Sequence, residues 1–399
     1  LKQSNDRILT THVGSLVKPE ELEQAVLARE NGESEDQEAF ERLLRTSVTE
    51  VVQHQAAVGV DVVNDGEFSK SSWGAYFRSR LSNVEPRLGQ RATRGMIYDR
   101  DIKIFPDWFE RAQAAGGPRF SYVLRGAAAL RGGTEPTIQG ARCVGPLTYV
   151  GQEDLQKDIK NLQLAGNETQ VEELCMTALA PPIMTSFLQN DYYKTEEEFL
   201  FAIAEAMNEE YRTIAESGIL LQLDEPSVAT HWHMLTDMSV EGYRKWLELR
   251  IEVLNTALKR VPEDRVRMHT CWGSVHHPHT ADIPLENILD LILQVNVGAF
   301  SFEASNPRHD HEWRVWKDIR LPEGKILIPG VIGHFTDWVE HPQLVAERIE
   351  KYAGVVGREN VIAGVDCGLG TRVGSESILW AKLAALAEGA SIASERLWS

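Results

Sequence analysis

Positive charge is what this 399-residue chain has least of. Its 41 Lys and Arg stand against 59 Asp and Glu, a net charge of -18 with histidine neutral. So acidic a chain repels phosphate backbones and anionic lipid headgroups, so neither nucleic acid nor a membrane is expected as a partner. No apolar run approaches the roughly 20 residues that a membrane span takes. Residues 1–6 carry no signal-peptide pattern. Cysteine is scarce as well: Cys143, Cys175, Cys271 and Cys367 are far apart, which is no disulfide framework and fits a reducing, cytoplasmic setting. No G-x-G-x-x-G or P-loop pattern follows any apolar run, so nucleotide binding has no support. Internal repeats and low-complexity tracts are absent too. What the chain does have is 43% hydrophobic residues, ample for a large core.

Those residues fall into alternating β-type and helical stretches. Strands are expected at residues 8–13, 60–63, 137–144, 219–223, 265–271, 299–302, 325–329 and 361–365. Helices are expected at 20–30, 37–58, 240–260, 285–295, 343–356 and 376–388. Residues 161–218 read as mainly helical, with Cys175 inside a helical-looking stretch, and Thr195-Glu196-Glu197-Glu198 reads as a capping box opening a long helix. Residues 68–136, rich in Arg and Gly, are too long for a simple connection and read as an insertion after strand two. Eight strands separated by helices imply a parallel sheet, and eight units imply a closed (β/α)8 TIM barrel of the α/β class, one catalytic domain spanning 1–399. In such a barrel the strands' C-terminal ends converge on one face.

At those ends stand Ser15, Glu67, Asp224, His269, Cys271, Glu303 and Cys367. His269 and Cys271 are two apart, so one strand points both the same way. Two thiols, an imidazole and a carboxylate suit zinc better than magnesium or calcium. The H-x-C spacing followed by two distant residues is not that of a zinc finger. Taken singly, each residue has a blander reading, as core histidine, packed thiol or ion-pair partner.

The chain resembles the cobalamin-independent methionine synthases, in their C-terminal catalytic barrel. The resemblance rests on His12-Val13-Gly14-Ser15, Asp65-Gly66-Glu67, Gly145-Pro146-Leu147-Thr148, Gln222-Leu223-Asp224-Glu225-Pro226, His269-Thr270-Cys271, Glu303, and Asp366-Cys367-Gly368-Leu369 followed by Thr371-Arg372, in family order. It implies a zinc site of His269, Cys271, Glu303 and Cys367. It also implies that Ser15, Glu67 and Asp224 hold the amino-acid part of a thiol such as homocysteine. Zinc strips the proton from a bound thiol, and the thiolate attacks an alkyl carbon.

Two departures bear on the alkyl donor. The family's full-length members carry a second, N-terminal barrel that helps hold a polyglutamylated folate, and this chain has one barrel's length. The family's folate-stacking tryptophan is replaced within Tyr149-Val150-Gly151-Gln152. A small or non-polyglutamylated donor is therefore expected. The rival reading is an epoxide:thiol transferase of the coenzyme M type, in which an acid must protonate the opened ring. His334, just past strand seven, is the first candidate for that role, ahead of His276, His277 and His279. Less favoured are a non-catalytic zinc-binding barrel and a metal-free, decarboxylase-like barrel. His309-Asp310-His311 reads as a charged surface turn. The expected partners are thus a small-molecule thiol and an alkyl donor, with self-association into a homo-oligomer left open.

Overall fold

The computed structural model describes the chain apart from residues 31–32, 34–35, 72, 92–97, 115–138, 275, 371 and 374. Its strands in chain order are β1 (Leu9–Thr10), β2 (Val62–Asn64), β3 (Val84–Arg91), β4 (Gln139–Cys143), β5 (Glu173–Leu179), β6 (Leu188–Asn190), β7 (Leu220–Asp224), β8 (Val266–Thr270), β9 (Ala299–Glu303), β10 (Ile326–Ile332) and β11 (Ile362–Val365). Eight of them form one sheet in the order β1-β11-β10-β9-β8-β7-β5-β2. All its strand pairs are parallel. A parallel bridge from Thr11 to Val62 joins the two ends and closes the ring. This is the (β/α)8 barrel that the alternation predicted.

The third barrel strand is not where the pattern put it. Residues 139–143 form β4, which lies outside the barrel in a separate sheet of order β3-β4-β6. The barrel's third position is taken by β5, within the tract read as helical. The segment Glu173–Leu179 reads ELCMTAL, mostly good helix formers with no period-two alternation. It is a strand because β2 and β7 hydrogen-bond to its two edges, and tertiary pairing overrides local propensity.

Helices pack around the ring. Glu196–Glu216 begins at Thr195, whose hydroxyl accepts from the Glu198 N–H at 3.0 Å, the expected cap. Glu376–Leu397 runs nine residues beyond its expected end at 388. Among the described residues between β8 and β9, only the short stretches Leu285–Asn287 and Leu289–Ile292 are helical, shorter than the expected 285–295. None of the described helices is long and apolar enough to cross a membrane.

Register sets the heights of the strand ends. Asp224 lies beside His269, His269 beside Ser301, and Glu303 beside Gly330. A Cβ on Gly330 would stand 2.5 Å from the Asp366 backbone, so only glycine lets β10 and β11 come this close.

Candidate metal and thiol site

Along β8, Arg267 and His269 share a face, and Cys271 follows just beyond. Arg267 reaches Thr11 Oγ1 at 2.7 Å and the His12 carbonyl at 2.8 Å, linking β8 to the β1 segment. Val266 and Met268 alternate with them and belong to the main apolar core.

The ligand-capable atoms of His269, Cys271 and Cys367 lie within 4.8 Å of one another, and all three residues are buried. His269 holds Ser301 Oγ through Nδ1 at 3.1 Å. Its Nε2 is buried with no hydrogen-bond partner. An imidazole fixed through one nitrogen while the other is unpaired is how a metal-binding histidine is oriented. The two thiols share a hydrogen bond, which pushes Cys271 well above the usual thiol range and pulls Cys367 well below it. Arg372, and then His269, add to the fall at Cys367. Ser274 Oγ donates to Cys367 Sγ at 3.5 Å. An unpaired nitrogen with a thiol and an incipient thiolate is a donor set that fits zinc.

Glu303 stands at the same end but outside that group of three. Its Oε1 accepts from the Trp272 N–H at 2.9 Å and its Oε2 from Asn306 Nδ2 at 2.8 Å. Burial, and then Asp366, push its carboxyl well above the usual range. Asp366 accepts from the Ala304 and Ser305 N–H groups at 2.7 and 3.0 Å, tying the end of β9 to that of β11 beside Cys367. Neither Asp366 nor Asn306 was singled out from sequence, although Asp366 precedes a candidate ligand and Asn306 is three residues past another.

The carboxylates expected to hold a substrate sit on the neighbouring strands. Asp224 is 4% exposed and takes a hydrogen bond from Gln222 Nε2 at 2.8 Å. Burial pushes it up to about 7, opposed by His269 and aided by Glu67. Glu67 lies at φ 61°, a left-handed conformation uncommon outside glycine, and takes a hydrogen bond from Thr177 Oγ1 at 3.1 Å. Thr177 belongs to β5, so the strand misread as helix supplies a partner for this group. Lys70 Nζ in turn bonds Thr177 through its carbonyl and hydroxyl. The Ser15 carbonyl accepts from the Leu369 and Gly370 N–H groups at 3.0 and 2.9 Å, which seats Ser15 against the loop after Cys367.

His334 is fully buried, and neither ring nitrogen has a partner among the described residues. Burial lowers it to about 3, opposed by the nearby Cys367. It is therefore a neutral imidazole at pH 7.

The other histidines divide. His276 is exposed, whereas His277 and His279 are buried. His309 corrects the surface-turn reading. It is 2% exposed, stacked on Trp272 at 3.9 Å, and bonded to Asp282 and Glu312 at 3.0 and 2.8 Å.

Two arginines of the insertion, Arg80 and Arg100, are held by internal partners. Arg80 is buried against Asp158, Asp154 and Glu210. Arg100 donates to the carbonyls of Trp232, Leu235 and Met238. The side chains of Arg87, Arg91 and Arg94 lie outside the described residues. Tyr149, the first residue of the Tyr149–Gln152 stretch, is 6% exposed and packed inward.

The sequence profile of the cobalamin-independent synthase catalytic domain matches residues 8–90 and 148–390. A methionine synthase of Sulfurisphaera tokodaii is 22% identical over 389 residues, covering 97% of this chain and 93% of the relative. One from Sulfolobus acidocaldarius is 22% identical over 391 residues, with the same coverage. Among solved structures, a B12-independent methionine synthase from Shewanella sp. W3-18-1, in complex with selenomethionine, superposes with a TM-score of 0.69 at 19% identity. That match covers 98% of this chain and 99% of the other.

Proposed function

The chain belongs to the cobalamin-independent methionine synthase family, and on that premise we propose that it transfers an alkyl group, in the first instance methyl, to the sulfur of a small thiol with zinc as cofactor. The observation that carries this reading is the convergence of His269, Cys271 and Cys367 around the unpaired Nε2 of His269. In this reading the metal is held by those three residues and by Glu303, whose two hydrogen bonds keep it at the same end of the barrel. Zinc would supply Lewis acidity, lowering the substrate thiol's pKa so that it is nucleophilic at neutral pH.

The chain's own groups do the rest. Asp224 and Glu67 offer carboxylates to an α-amino group, and Ser15, seated against the loop after Cys367, offers its hydroxyl. His334, near Cys367, is the candidate acid for the alkyl donor's leaving group, and it takes up the proton it would give only when negative charge such as that of Cys367 offsets its burial. The barrel, residues 1–399 with 68–136 set into it, serves as one catalytic unit in a reducing cytoplasm.

The selenomethionine complex of the Shewanella relative supports a homocysteine-like thiol. The coenzyme M reading is the weaker one, because two carboxylates would repel a sulfonate. The test is thiol consumption by the zinc-loaded protein, with homocysteine, coenzyme M and glutathione each offered methyl donors and epoxides. Homocysteine with a methyl donor is expected to react. Cys367→Ser should lose most of the zinc and the turnover together, since a hydroxyl is a poor soft ligand. Full zinc content in that variant would remove Cys367 from the site, and turnover with coenzyme M and an epoxide alone would install the rival.

A further inference from the structure

A second group of metal-capable side chains lies in the loop after Cys271, apart from the thiols. His277, His279 and Asp282 each offer one ligand atom, all within 4.8 Å of one another. His277 has its Nδ1 on Asp101 at 2.8 Å, and its Nε2 is buried without a partner. The His277 side chain is only 1% exposed. His233 joins from helix Ser227–Met234, with Nε2 on Asp282 at 2.8 Å and Nδ1 buried and unpaired. The rings of His277 and His279 stack at 3.7 Å, and His233 meets His277 edge-on at 5.5 Å.

Charge makes the same demand. Asp101, Asp282 and Glu312 are buried here, and their ion-pair partners among the described residues are all histidines. Buried carboxylates need cationic charge close by. His309, raised to about 10 beside Asp282 and Glu312, supplies one positive charge against these three carboxylates, while a divalent cation supplies two more and uses the unpaired nitrogens.

We propose that His277, His279 and Asp282, with His233 beside them, bind a second divalent cation of the zinc class. Two imidazoles and a carboxylate are a usual ligand set for such an ion. Ligand atoms around tetrahedral zinc stand about 3.3–3.5 Å apart. The group therefore closes by about 1 Å, within reach of ring rotation. With its ligands this buried, the cation leaves no position open to substrate, so its role is structural. It clamps the loop that follows Cys271 to helix Ser227–Met234 and, through Asp101, to helix Asp99–Ile104 of the insertion.

Cobalt(II) is a suitable probe, because only a thiolate site gives the intense near-ultraviolet sulfur-to-cobalt band. The chelator-stripped full chain is expected to take up two cobalt ions. C271S/C367S is expected to keep one ion and lose the band, with X-ray absorption showing at least two imidazoles and no sulfur. H277Q/H279Q is expected to keep one ion and retain the band. Combining all four substitutions should bring the count to zero. If H277Q/H279Q does not fold, C271S/C367S decides alone through its ion count, its X-ray absorption and a cobalt-dependent rise in melting temperature. The inference fails if C271S/C367S binds no cobalt or shows a single imidazole, or if H277Q/H279Q binds two ions. Failure of the thiol-site reading looks different: a wild-type protein without the sulfur band.

Discussion

Burying a titratable side chain makes its protonation state part of the fold, and this barrel does so repeatedly. Asp224 is held up near 7 by burial, and it would ionise fully only when a cation arrives beside it. If the thiol brings an ammonium group, Asp224→Asn should raise its KM about tenfold, equivalent to about 1.4 kcal/mol, with zinc content unchanged. An unchanged KM in steady-state kinetics would mean that the thiol carries no amine. His231 makes a stability prediction. It is buried, bonded to Ser186 Oγ at 2.8 Å, and lowered to about 3 by burial, with Arg250 adding to the fall. Below pH 6.5 the unfolded chain takes up a proton at this residue that the native state refuses until about 3. Stability therefore falls as the solution is acidified across that window. For one such histidine the loss between pH 7 and 5 is about 2 kcal/mol. Urea denaturation of His231→Asn at both pH values should show a loss smaller by about that amount. A parallel shift of the two proteins would clear His231 of the effect.

At the scale of elements, the last helix acts on the site from outside the barrel. Lys382 on Glu376–Leu397 has a side chain with no exposure. It donates to the carbonyls of Gly333 and Trp338 and pairs with Glu340 at 3.0 Å. Glu340 in turn accepts from the Gly333 N–H at 2.7 Å. The loop after β10 is thus stitched on both sides of Gly333, the residue before His334. Lys382→Met keeps the chain's length but leaves Glu340 and two carbonyls without their cation. The expected cost is about 3 kcal/mol in urea denaturation, as for other broken buried pairs. Amide exchange should accelerate across residues 333–340 more than elsewhere. Uniform acceleration over the whole chain would make Lys382 a general stabiliser and not a clamp on the His334 loop.

For the whole molecule, the issue is what a single barrel can hold. Curated methionine synthases match 97% of this chain over 93% of their own length, so relatives of that name are covered almost whole by this stretch. A polyglutamate tail is a polyanion, and the chain carries a net charge of -18. Arg80 and Arg100 do not offset it, being spent on internal partners. Methyl-tetrahydrofolate triglutamate is therefore expected to bind weakly, above 100 μM by calorimetry at physiological salt, as an order of magnitude. Micromolar binding with methyl transfer to homocysteine would make the folate the donor.

The alternation of helix and strand made the barrel legible in the chain, because local periodicity records which face of each element is buried. The strand ends were legible too, since His269 and Cys271 two apart can only point one way and polar residues closing apolar runs mark the working face. What local pattern could not carry was decided by tertiary packing. ELCMTAL is a strand because β2 and β7 hydrogen-bond to it, and QGARC lies outside the barrel because β3 and β6 claim it. His309 is buried because Trp272 and Asp282 converge on it from elsewhere in the chain and Glu312 from three residues on. The burial that neutralises His334 and raises Asp224 likewise belongs to no single segment. A residue's neighbours in space set its dielectric and its partners, and the order of residues along a chain specifies those only through the fold.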